Sequence, residues 1–147
     1  MLVHGSCAAR HGHAVLILGP SGAGKSDLVL RLLQLGWRLV GDDQVECGAD
    51  LAVGAPARLR GFLEVRGLGI FEAMEVEDNA VLRLAVQLAP HAGIPRLPMP
   101  ASWRAGDGAA VPLVTLDPFE VSACAKLNLA LDAATGLVRQ RAGAFAA

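Results

Sequence analysis

The sequence predicts an α/β domain with a mixed sheet and flanking helices, and three observations carry that prediction. An apolar run at 14–18 leads into Gly19-Pro20-Ser21-Gly22-Ala23-Gly24-Lys25-Ser26, and a helix-type pattern follows over 27–35. Strand, glycine loop and helix in that order are the context in which this glycine pattern builds a phosphate site. The segment 81–88 alternates like a strand, with Leu82, Leu84, Val86 and Leu88 on one face and Arg83, Ala85 and Gln87 on the other. The apolar run 111–116 is followed by Asp117-Pro118-Phe119-Glu120, which has Asp as N-cap, Pro at N1 and Glu at N3 of a helix running toward Leu131. A chain of 147 residues is enough for one domain with its own core. The expectation is therefore a single domain over 1–147, with its Ala-rich end, 137–147, as a flexible tail.

The remaining elements follow in chain order. Residues 2–8 form a strand that turns through Arg10-His11-Gly12 into the strand before the glycine loop, which brings His4 toward the phosphates. In the helix after the loop, Leu28, Val29, Leu32, Leu33 and Leu35 make an apolar face, and Gly36 stops it. A short strand over 37–40 ends at Gly41-Asp42-Asp43. Residues 44–47 extend it or begin the next strand, and 48–56 hold turn residues. The half-exposed strand at 81–88 leads into 89–112, which carries five of the eight prolines and three glycines. That stretch is expected to be a long loop or lid.

The chemistry begins at the loop. Glycines allow main-chain N–H groups to converge on an anion, and the helix N-terminus adds positive potential. Lys25 reaches the outer phosphates and the Ser26 hydroxyl binds Mg²⁺. Among 13 lysines and arginines only Lys25 and Lys126 are lysines, so a compact ammonium stands where phosphate chemistry wants one. Asp42-Asp43 ends a strand, where such enzymes place a carboxylate for magnesium. Adjacent side chains on a strand point to opposite sides, so one acid serves the metal while the other meets an incoming hydroxyl. The bland alternative is a solvated turn. For Leu63-Glu64-Val65-Arg66-Gly67-Leu68-Gly69-Ile70-Phe71-Glu72 it is a tight bend with a surface ion pair.

Taken together, the glycine loop with Gly-Lys-Ser, the run Trp37-Arg38-Leu39-Val40-Gly41-Asp42-Asp43 and the run Leu63 to Ile70 closely resemble the C-terminal catalytic domain of HPr kinase/phosphorylase. His4-Gly5, fifteen residues before Gly19, matches the family's His-Gly pair. The similarity is close over 2–72 and weak beyond residue 80. The resemblance implies a P-loop kinase-like fold of the HPr kinase and phosphoenolpyruvate carboxykinase type. It implies an ATP- and Mg²⁺-dependent protein serine kinase acting on HPr or an HPr-like phosphocarrier of the phosphotransferase system, with weak reverse phosphorylase activity as a further implication. Residues 19–26 then bind ATP. Ser26, Asp42 and Glu64 hold Mg²⁺, Lys25 meets the phosphates, and Asp43 is the base that takes the serine proton. His4 sits beside the phosphates, and Arg66 steadies the transferring phosphoryl group. The chain departs from the family at both ends. It begins almost at the His-Gly pair, so the short, single-domain form without the family's N-terminal domain is expected. Residues 111–120 offer no match for the family's C-terminal catalytic arginine, which weighs against the reverse reaction more than the forward one. The family's hexamer is the assembly implied.

Composition excludes several classes. A net charge of −1 and 4% aromatic content with no tyrosine give neither a basic footprint nor stacking surfaces for nucleic acid. No apolar run is long enough to span a membrane, and the start of the chain lacks a signal-peptide layout, so a cytoplasmic location is expected. Cys7, Cys47 and Cys124 are isolated and odd in number, which makes neither a disulfide framework nor a zinc site. Two other functions stay open: a small-metabolite P-loop kinase, and a nucleotide-sensing module without catalysis. An arginine-rich lid would favour the first, but 89–112 holds only Arg96 and Arg104.

Overall fold

A computed structural model describes residues 1–146. The strands are β1 (Leu2–His4), β2 (Ser6–Arg10), β3 (His13–Leu18), β4 (Arg38–Gly41), β5 (Gln44–Cys47), β6 (Val53–Gly54), β7 (Leu63–Val65), β8 (Gly69–Phe71), β9 (Val81–Leu88), β10 (Ser102–Arg104) and β11 (Ala110–Leu116). The helices are α1 (Lys25–Leu33) and α2 (Ala123–Ala134). A six-stranded mixed sheet in the order β10-β11-β9-β3-β2-β4 forms the centre. β3, β9 and β11 run parallel at its middle, and β2 and β10 pair antiparallel to their neighbours. A three-stranded sheet, β1-β5-β6, and the hairpin β7-β8 complete the strands.

Both faces of the central sheet are buried, which is why β2, β3 and β9 are almost wholly apolar. Alternate residues separate into two cores. Ala8, Val15, Ile17, Leu84 and Val86 pack against Leu28, Leu32, Leu127 and Leu131 of the two helices. Cys7, Leu16, Leu82 and Ala85 pack instead against Val3, Val45 and Val53 of the small sheet. Both helices therefore share one face, and the small sheet covers the other.

Several elements differ from the sequence expectation. β9 is a central strand rather than a half-exposed one, and Leu82 does not share a face with Leu84. The register with β3 jumps from Ala14↔Leu82 to Val15↔Leu84, so Arg83 is an extra residue that reverses the facing. The proline-rich stretch contains β10, paired with the start of β11. The strand expected over 2–8 breaks at Gly5, where β1 leaves for the small sheet. A Cβ on Gly5 would lie 2.8 Å from the Ile17 carbonyl oxygen of β3, so the break needs glycine. The helix expected from Asp117 begins only at Ala123. Asp117 Oδ1 accepts the Phe119 N–H at 2.9 Å and closes a local turn in place of the first helical turn. At the chain end, Phe145 packs against the helical core.

Asn128 ties α2 to the β2–β4 edge of the sheet. Its Oδ1 accepts from Arg10 Nη1 at 3.0 Å and from Trp37 Nε1 at 3.2 Å, and Arg10 also pairs with Asp132 at 2.5 Å. Trp37 is only 3% exposed, so removing its acceptor strands a buried donor. Asn128→Ala is expected to cost about 1–3 kcal/mol. In a thermal melt this reads as about 2–4 °C per kcal/mol for a domain of this size. An unchanged melting temperature would show that water replaces the amide.

Candidate active site

β3 is flanked on both sides by paired strands, so its C-terminal end is a fixed point from which residues 19–24 loop into α1. Inside the loop the Ala23 N–H donates to the Pro20 carbonyl at 3.0 Å. Gly24 caps α1 at φ +100° without any side-chain cap, which leaves the first N–H groups of the helix for an anion. A Cβ on Gly24 would meet the Phe119 ring at 3.3 Å, so the backbone favours glycine there and a side chain would also push the ring aside. Lys25 is 8% exposed. Its Nζ donates to the carbonyls of Gly19 at 2.7 Å and Pro20 at 3.0 Å, which holds the ammonium over the loop.

The two acids after β4 have opposite environments. Asp42 is 7% exposed and its oxygens accept three hydrogen bonds. Oδ1 accepts from Ser26 Oγ at 2.7 Å and Ser6 Oγ at 2.8 Å, and Oδ2 accepts the Glu64 N–H at 3.1 Å. That one carboxylate joins β2, α1 and β7. Asp43 adopts a left-handed backbone, φ +68°, and turns its side chain outward, 66% exposed. Its carbonyl accepts the Gly5 N–H at 3.0 Å, which fixes the β1–β2 break beside it. His4 Nε2 lies 3.7 Å from Asp43 Oδ1.

A cavity of about 460 Å³ gathers most of these groups. The loop and α1 contribute Ser21, Gly22, Gly24, Lys25 and Ser26; the β4 end contributes Asp42 and Asp43; the β7 hairpin contributes Glu64 and Arg66. Gly19, Pro20 and Ala23 lie in the loop behind that lining, and His4 touches the site only through Asp43. The sequence reading missed five lining residues, Ser6, Asp27, Leu30, Val65 and Phe119, of which two matter most. Ser6 is fully buried, and its hydroxyl, the one polar side chain in Ser6-Cys7-Ala8-Ala9, was the available signal. Phe119 was assigned to a helix turn, yet its ring lies against Gly24 at the cavity wall.

The donor set suits a hard cation that keeps part of its water shell. Asp42 and the Ser26 hydroxyl already share a hydrogen bond, and the Glu64 carboxylate borders the same cavity. Among the described residues no three His, Cys, Asp or Glu side chains form a metal cluster. Magnesium is usually held in this way, by one or two carboxylates with phosphate oxygens and water, rather than by an all-protein cage. The three thiols lie elsewhere and are free; burial pushes the Cys7 and Cys47 thiols up, so both stay protonated. No helix among the described residues is long and apolar enough to cross a membrane.

Known proteins are similar to this chain in sequence and in fold. Among curated relatives, the HPr kinase/phosphorylase of Caldanaerobacter subterraneus subsp. tengcongensis is 40% identical over 96 residues, covering 58% of this chain and 32% of that protein. The HPr kinase/phosphorylase of an Exiguobacterium species is 44% identical over 85 residues, covering 55% of this chain and 27% of that protein. The chain thus spans about a third of the length of the curated relatives it matches. A solved structure described as the Hpr(Ser) kinase/phosphatase from Coxiella burnetii superposes with a TM-score of 0.76, covering 93% of this chain and 91% of that one at 21% identity, so the fold is the same. The model of the HPr serine kinase C-terminal domain matches residues 1–132, and the chain belongs to that family.

Proposed function

We propose that this domain is an ATP- and Mg²⁺-dependent protein serine kinase acting on HPr or an HPr-like phosphocarrier in the cytoplasm. The observation that carries the reading is the division of labour between Asp42 and Asp43. The first is buried and bonded to the P-loop serine; the second is exposed at the rim of the same cavity. Main-chain N–H groups of the loop and Lys25 hold the phosphate chain, and Ser26, Asp42 and Glu64 hold the metal. The metal neutralises charge on the phosphates when bound. A serine hydroxyl presented at the rim gives its proton to the Asp43 carboxylate. Its oxygen then bonds to the terminal phosphorus, while the bond from that phosphorus to the bridging oxygen breaks and leaves its electron pair on ADP. Arg66 and Lys25 meet the charge on the moving group. His4 sits outside Asp43 and orients it.

The exposure of Asp43 favours a macromolecular substrate. A surface serine of a folded carrier can reach an open rim, whereas small-metabolite kinases enclose their acceptor. Incubation with labelled ATP, Mg²⁺ and a purified HPr-like carrier is expected to place phosphate on a carrier serine, located by mass spectrometry. Nucleotide binding without transfer to any such carrier would overturn this reading in favour of a nucleotide-sensing module.

A further inference from the structure

Phe119 is 72% exposed, yet the main chain that carries it is tied down. The Asp117 carboxylate accepts the Phe119 N–H at 2.9 Å and, through its other oxygen, the His91 N–H at 3.0 Å. Arg31 of α1 donates to the Pro118 carbonyl at 2.5 Å. The Ala123 N–H bonds back to the Glu120 carbonyl at 3.1 Å, which closes the segment before α2. Four bonds therefore fix the main chain of the turn that presents a large apolar ring to water. A ring presented in that way lacks a partner for its face, since an exposed aromatic gains nothing from solvent.

The place of the ring in the fold indicates the partner. Residues 117–120 follow the C-terminal end of β11, and the phosphate loop follows the C-terminal end of β3; the two strands run parallel with β9 between them. In open α/β sheets, ligands lie in the crevice beyond those strand ends. The Phe119 ring lines the same cavity as Gly22, Gly24 and Lys25 and approaches Gly24 so closely that a Cβ there would stand 3.3 Å from it. With the phosphates of a nucleotide on the loop, this wall is a surface of the same cavity that its base can reach.

We propose that Phe119 is the platform on which the base of the bound purine nucleoside triphosphate stacks. The proposal rests on the nucleotide reading of the loop and adds the subsite that reads the other end of the molecule. The ring supplies a π-face, and Pro118 stands beside it, its Cγ 3.5 Å from where a Cβ on Gly24 would lie. The base subsite and the phosphate subsite thus share Gly24 as their common floor.

The test separates the two subsites with two probes, Mg·ATP and Mg·tripolyphosphate, titrated calorimetrically into the whole chain and into Phe119→Ala and Phe119→Trp. Phe119→Ala is expected to weaken ATP by about ten- to a hundredfold, the usual range for loss of one stacking partner, and to leave tripolyphosphate unchanged. Phe119→Trp is expected to keep ATP affinity and to gain an indole emission that ATP quenches and tripolyphosphate does not. Equal weakening of both probes by Phe119→Ala would mean that the ring only supports the loop, and would overturn the proposal. So would an unchanged ATP affinity, which leaves the nucleotide reading standing. If the unaltered chain binds neither probe, the nucleotide reading fails and the base platform fails with it.

Discussion

Lys25→Met is expected to lower phosphoryl transfer by about 3–4 kcal/mol of transition-state stabilisation, the range for loss of one preorganised charge donor. The ammonium is poised by two main-chain carbonyls, Gly19 and Pro20, so no carboxylate neutralises it before the phosphates arrive. Methionine has a similar length and keeps the apolar stem packed, so the variant removes charge with little change of shape. It also leaves the two carbonyls without their donor. That adds a stability cost of about 1–3 kcal/mol, which a melting curve measures separately. The expected readout is a fall of about two to three orders of magnitude in kcat/KM, measured on protein that still unfolds cooperatively. Lys25→Arg is expected to rescue little, because a planar fork cannot occupy the site of a compact ammonium between those carbonyls. Wild-type rates in Lys25→Met would remove Lys25 from the transition state.

The phosphate loop was legible because its information is contiguous. Strand, glycines, lysine, serine and helix pattern all lie within 14–35, and each obeys a local rule. The misread parts depend on pairing across long separations. The alternation of 81–88 is genuine, but the extra residue at Arg83 exists only relative to β3, some seventy positions earlier. The capping chemistry of Asp117 is also genuine. The competing turn wins because Arg31 and His91, both distant in sequence, bond to residues 117–118. β10 required β11 as a partner to be recognised at all. At the site, the sequence named both acids of the β4 end. Adjacency gave their opposite directions, but which of the two is buried could not be read from it, since that depends on donors from Ser6, Ser26 and Glu64 converging on Asp42 alone.

That division makes Asp43→Asn the most discriminating replacement at the rim, with an expected loss of phosphoryl transfer of about 10²–10⁴-fold. The backbone at 43 is left-handed, a conformation that asparagine adopts as readily as aspartate and that alanine adopts poorly. The side chain is exposed, and its one ion-pair partner, His4, stands 3.7 Å away, so the fold loses almost nothing. Mg·ATP should bind as before, because an outward-facing carboxylate takes no part in holding phosphate or metal. Asp42→Asn has the opposite expectation. An amide NH₂ would face a hydroxyl or the Glu64 N–H where the carboxylate now accepts, so stability and the Mg²⁺ requirement should both suffer. If Asp43→Asn raises the Mg²⁺ requirement while transfer at saturating metal stays normal, the exposed acid is a metal ligand and not the base. The open rim would then no longer explain how a protein hydroxyl is activated.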